Sequence, residues 1–215
     1  MPTSARRREL AETIARADAE AIAAHNAKAA APRRLRDEFG PLPYDGDVAR
    51  APLVLLVGSP ACDMSKTRKE AQPVRRGWPL AGLHPEAPPA LRSLWHARLA
   101  GLIEAFGAQH VANSVAALPL TPWACDEFDD QLRLPSRREM LALAAAAAAR
   151  GALLLVTACD ERWTECAEIA NLTLEQRFHP RSFRSTHVSV ENLGAAAWHA
   201  VCRRIEAHSW SRLAT

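Results

Sequence analysis

Leu53-Val54-Leu55-Leu56-Val57 runs directly into Gly58-Ser59-Pro60. Five apolar residues without alternation read as a strand buried on both faces, and the Gly-Ser-Pro turn ends it. Strands of that kind belong to parallel sheets covered by helices. The rest of the chain is therefore searched for further buried strands separated by helical periodicity.

Val111–Val115 reads as a second strand, Leu153–Thr157 as a third and Leu172–Leu174 as a short fourth. Between the first two, Leu91, Leu94, Trp95, Leu99, Leu102, Ile103 and Phe106 recur at helical spacing, and Gly107 ends the pattern. After Pro135, Ser136-x-x-Glu139 reads as a capping box opening an Ala-rich helix that runs to Gly151. Asp160–Ile169 reads as a short helix. Residues 190–208 read as a closing one, with Leu193, Ala197, Val201 and Ile205 inward. This alternation predicts an α/β fold: a three-layer, four-stranded, mostly parallel sheet with helices on both faces. Right-handed crossovers then bring the loops that follow the strands to one edge, where such sheets bind ligands.

Two segments are expected along the chain. Residues 1–31 form an N-terminal Ala/Arg-rich helix with Leu10, Ile14, Ala17, Ala21 and Ile22 on one stripe, and Pro32 ends it. Residues 42–208 form a single α/β domain. Residues 58–90 and 118–135 are long loops, of the kind that carries function.

Composition narrows the class. The chain has 215 residues, 48% hydrophobic, enough for one sizeable core. Its formal charge of +3 is carried mostly by arginines in groups: Arg33/Arg34/Arg36, Arg75/Arg76, Arg137/Arg138 and Arg181/Arg184. They read as solvated surface or as contacts to an anionic partner. Five cysteines without a C-x-x-C pair argue against a disulfide framework or structural zinc and fit a reducing cytoplasm. The scattered histidines offer no metal site, and no apolar run reaches membrane-spanning length. No cofactor, metal or membrane is expected.

Three landmarks follow the expected strands: Gly58-Ser59-Pro60, Asn113, and His179-Pro180 at the head of HPRSFRS. Each has a plain structural alternative. Asn113 can satisfy backbone groups, His179 can be an ordinary loop residue and Ser59 a plain turn residue, while Asp63, three residues past Pro60, can cap a short helix. Cys62-Asp63 and Cys159-Asp160 also follow strands, but sequence places no histidine to activate either thiol. Gly58–Thr67 lacks the spacing of a phosphate loop.

The order of landmarks (strand and G-x-P turn, strand and Asn, strand, short strand and H-P-x-x-x-x-S) resembles the uracil-DNA glycosylase superfamily. More closely, the chain resembles an uncharacterised bacterial and phage branch with a glycosylase-like fold. That branch has an N-P-G turn, a W-H-x-x-L helix and an L-P-S motif. Here these stand as VGSP, Trp95-His96-Ala97-Arg98-Leu99 and Leu134-Pro135-Ser136. The resemblance implies a uracil-DNA glycosylase-like hydrolase of DNA repair, removing uracil or a modified base by base flipping, with DNA as partner.

In that reading Asn113 reads the base edge and His179 stabilises the leaving base. The backbone of Gly58, Ser59 and Pro60 approaches the nucleotide closely, and Trp78 and Trp123 stack or wedge from their loops. Arg181, Ser182, Arg184 and Ser185 grip the DNA backbone. The family carries Asp or Asn where Ser59 stands here. Asp63 is then the substitute carboxylate. The alternative is a catalytically inactive glycosylase-fold protein that binds DNA or a protein partner.

Overall fold

The computed structural model describes residues 3–60, 77–129, 131–182 and 187–213. Four strands form one sheet: β1 (Leu53–Val57), β2 (Val115–Pro119), β3 (Leu153–Val156) and β4 (Arg177–Phe178), in the order β2-β1-β3-β4. Every pairing is parallel, with Leu53 opposite both Val115 and Leu153, and Leu155 opposite Phe178. The fold is the expected three-layer α/β sandwich, and its sheet is wholly parallel.

Alternate residues of β1 supply the two halves of the core. Leu53 and Leu55 pack on one face under α2 (Pro89–Arg98), α3 (Ala100–Phe106), α4 (Ala108–Ser114) and α9 (Ala195–Leu213). Val54 and Leu56 pack on the other, under α1 (Thr3–Asn26), α5 (Arg137–Ala149), α6 (Asp160–Trp163) and α7 (Ala167–Ala170). All four of these β1 residues are fully buried. At roughly 2 kcal/mol for each buried aliphatic side chain, a central position suits this segment best.

Four expected elements are placed differently, the first being the single helix expected over Asp160–Ile169, which is two, α6 and α7. Residues 111–114 are helical: Gly107, at φ +78°, ends α3, and α4 restarts immediately. The second strand is the next segment, Val115–Pro119, whose alanines are poor strand formers. Burial overrides propensity there, because β1 offers β2 a fully apolar edge, and the terminal Pro119 needs no ladder donor on an edge strand. Residues 172–174 are not a strand; Leu174 is exposed, and the backbone amides of Gln176 and Arg177 both return to the Thr173 carbonyl. The closing helix is broken at Gly194 into α8 (Val190–Leu193) and α9.

Helix α1 lies on the α5 face through Ile14 and Ile22. Ala17, expected inward, is exposed, and the fully buried residue between the isoleucines is Asp18. Its carboxylate accepts hydrogen bonds from Trp123 Nε1 (2.8 Å), from the Ser136 amide (2.8 Å) and from Ser136 Oγ. The capping box expected at Ser136 is therefore absent: its hydroxyl serves Asp18 and makes no cap bond. Beyond α1, Asn26 exchanges two bonds with the Leu35 backbone. Residues 32–45 then run alongside residues 117–127, ending in a bridge between Asp45 and Ala117 that covers the free edge of β2.

Removing a buried acceptor strands its donors, which costs more than the bonds themselves. Asp18→Ala is expected to lower unfolding stability by about 3 kcal/mol, against about 1 kcal/mol for Trp123→Phe. Urea titration of the two variants, followed by circular dichroism, measures both.

Candidate functional site

In this strand order the chain leaves β1 towards β2 on one side and leaves β3 towards β4 on the other. The connections diverge at the carboxyl ends of β1 and β3, and a crevice at such a point is where parallel α/β sheets take ligands. Gly58-Ser59-Pro60 follows β1 there. Thr157 to Asp160 follows β3, and His179 follows β4.

The carboxyl ends of these strands are tied together by hydrogen bonds. The amides of Leu120 and Thr121 donate to the carbonyls of Val57 and Gly58 at 2.8 and 2.9 Å, so the segment after β2 is tied to the β1 turn. Thr157 donates from both its amide and Oγ1 to the Leu56 carbonyl. The Phe128 ring lies over Gly58, where an added Cβ would come within 3.1 Å of ring carbon. A side chain here would require the ring to give by a few tenths of an ångström. Cys125 Sγ donates to Ser59 Oγ at 3.5 Å, and burial pushes the Cys125 thiol up, which keeps it a neutral donor.

His179 Nε2 lies 3.6 Å from Asp160 Oδ1. The two residues come from different strand ends, and both side chains are partly exposed. At this distance the carboxylate is near enough to attract the imidazole but too far for a hydrogen bond. The sequence marked His179 but assigned Asp160 no part beside it. A carboxylate directly after a buried strand was the available signal, and only the β3–β4 pairing brings the two together.

Cys159, between β3 and α6, is the one non-glycine residue among those described with positive φ (φ 59°, ψ 41°). The left-handed conformation costs roughly 1–2 kcal/mol for a residue with a Cβ. It makes the sharp strand-to-helix turn that sets Asp160 at the crevice.

Beside this turn, three guanidinium groups converge on one carboxylate. Glu165 lies 3.1 Å from Arg133, 3.6 Å from Arg137 and 3.3 Å from Arg162. Burial pushes the Glu165 carboxyl up, but the Arg133 hydrogen bond and the Arg137 charge outweigh it, and the net shift is downward.

Several expected site residues lie elsewhere. Asn113 is in α4, ahead of β2, and so at the amino edge of the sheet. The length of β2, roughly 13 Å, separates it from the Gly58 turn. Its amide donates to the carbonyls of Gly77 and Gln109, each at 2.8 Å. Trp78 adjoins Gly77 and packs edge-on against His84, on the α2–α4 side. Trp123 is buried against Asp18, so its face is not open to a base.

Arg181 and Ser182 follow His179 and are exposed, their amides held by Asn192. Arg33 and Arg36, from the first arginine group, pair with Glu127 and Asp126 at 2.6 Å. Asp63, Arg75, Arg76, Arg184 and Ser185 lie outside the described residues. Among those described, no three His, Cys, Asp or Glu side chains gather as a metal site requires. No helix described is long and apolar enough to cross a membrane.

Two outcomes are expected. At position 159, valine should be less stable than glycine by about 2 kcal/mol, because a β-branched residue resists positive φ; thermal unfolding of the pair measures it. A carboxyl held below its ordinary value of 4.5 stabilises the fold above that pH and loses its contribution as the pH falls through the lowered value. The stability deficit of Glu165→Gln should thus be full at pH 7 and fade below pH 4.5, as read by denaturant titration across that range. No family model matches the chain, and no curated protein or solved structure matches it either.

Proposed function

We propose that the chain is a DNA glycosylase-like hydrolase that cleaves the N-glycosidic bond of uracil or a modified base extruded into the crevice between β1, β3 and β4. The observation that carries this reading is the approach of His179 to Asp160 at the sheet edge that also carries the Gly58-Ser59-Pro60 turn. His179 stands two strands from the turn, roughly 10 Å backbone to backbone, a gap suited to a planar base. The motif resemblance and the exposed Arg181 and Ser182 beside His179 support the same reading.

The chemistry assigns new roles. With the Nε2 proton directed to Asp160, the basic nitrogen of His179 is Nδ1. It takes a proton from water as the oxygen bonds to the sugar C1′. The C1′–N bond breaks, and its electron pair leaves with the base. Ser59 Oγ donates a hydrogen bond to the base as negative charge builds, and Phe128 offers a ring for stacking. Asp160 is a positioning residue that stabilises the imidazolium formed. Asn113 has no part in this scheme, because it stands at the opposite edge of the sheet.

A second reading rests on one observation: Ser59 occupies the turn position at which a carboxylate or amide would orient water. A protein with this groove and no turnover would be a DNA-binding module or would engage a protein partner.

The test is incubation of the purified chain with oligonucleotides that each carry one uracil or modified base, with released base read by mass spectrometry. His179→Ala is expected to reduce release by at least about 100-fold, and Asp160→Asn by about 10-fold with a shifted pH profile. Undiminished release by His179→Ala removes that residue from the mechanism. Binding of a modified-base duplex without release from any substrate favours the second reading.

A further inference from the structure

The Arg133, Arg137 and Arg162 cluster carries three positive charges against the single negative charge of Glu165. Arg137 is the unusual member. Its side chain is 9% exposed, and neither Nη1 nor Nη2 has a hydrogen-bond partner. The Glu165 oxygen at 3.6 Å is near enough for attraction but too far for a hydrogen bond. Burial pushes the Arg137 guanidinium down, and the Glu165 charge opposes that shift. Arg162 also has a buried Nε without a partner. A carboxylate has two oxygens and one charge, too little for three converging guanidinium groups. A phosphate group has more acceptor oxygens and more charge, and planar guanidinium donors match it well.

We propose that Arg133, Arg137 and Arg162 form a phosphate-binding site in which Glu165 is the resident stand-in for the ligand. Glu165 is 30% exposed, so it opens the site by moving aside. The phosphate then accepts from Arg133, Arg137 and Arg162 in place of the carboxylate. The site adjoins the turn at Cys159, which acts electrostatically on Arg137, and so lies beside the crevice. The inference stands on the cluster alone and does not depend on base release. The phosphate can come from a nucleic-acid strand or from a free phosphate ion, and the two sources are separable.

Inorganic phosphate titrated into the full chain at low ionic strength, followed by calorimetry, tests the proposal. One site per chain is expected. Arg137→Lys should weaken binding about tenfold or more, since lysine cannot match a planar fork. Glu165→Gln should tighten binding about tenfold by removing the competing carboxylate. If Arg137→Lys fails to fold by circular dichroism, the exposed Arg133→Met variant takes its place and should also weaken binding.

A short single-stranded oligonucleotide, without and with a 5′ phosphate, identifies the source. Affinity that depends on Arg137 for both oligonucleotides points to a backbone phosphate. Dependence confined to the 5′-phosphorylated strand and inorganic phosphate points to a free or terminal group. Absence of phosphate binding, or affinity indifferent to the Arg137 or Arg133 variant and to Glu165→Gln, overturns the proposal, whatever the base-release assay shows.

Discussion

One buried carboxylate organises the loop on which the crevice depends. Asp18 comes from α1, yet its oxygens are satisfied by Trp123 and Ser136, more than 100 residues away in sequence. Those two residues bracket the connection between β2 and α5. Cys125 behind Ser59 and Phe128 over Gly58 lie in this connection. A buried charge is tolerated only when hydrogen-bonded, so this arrangement is close to all-or-none. The N-terminal helix therefore does more than cover the sheet: it anchors the segment that carries Cys125 and Phe128.

The crevice itself joins rigid and strained parts. Backbone bonds from Leu120, Thr121 and Thr157 lock the ends of three strands together, while Cys159 holds an unfavourable left-handed turn. Strain of that kind persists only where the surroundings over-determine it, and it tends to occur where a side chain must be aimed. Here the aimed residue is Asp160, towards His179. Positive charge gathers beside the same turn, in Arg133, Arg137 and Arg162 around Glu165. The His179–Asp160 pair and the arginine cluster thus flank one strand-to-helix turn.

The positions of the sequence landmarks are instructive. Asn113 reads as a strand-end residue because VANSV has valines at both ends and a polar centre. A seven-residue helix after a left-handed glycine has too few turns to display its period. The true strand, VAALP, carries little strand propensity, and its state is set by the apolar edge of β1. Trp123 reads as a loop aromatic available for stacking because nothing local reveals that Asp18, 105 residues away in sequence, accepts its N–H.

Local patterning was sufficient for the layers. LVLLV and LLLV are continuous apolar runs, and such runs are stable only between two helical layers, so the parallel three-layer sandwich follows from the residues alone. So does the placement of Gly58 after a strand, because turn chemistry is local; the strand before His179 lies at Arg177–Phe178 and not at the expected 172–174. Tertiary structure alone decided which side chains meet: Asp160 with His179, Asp18 with Trp123 and Ser136, and three arginines with Glu165. Those meetings depend on strand order and helix docking, which are set by the summed burial of the whole core and leave no mark at any single position.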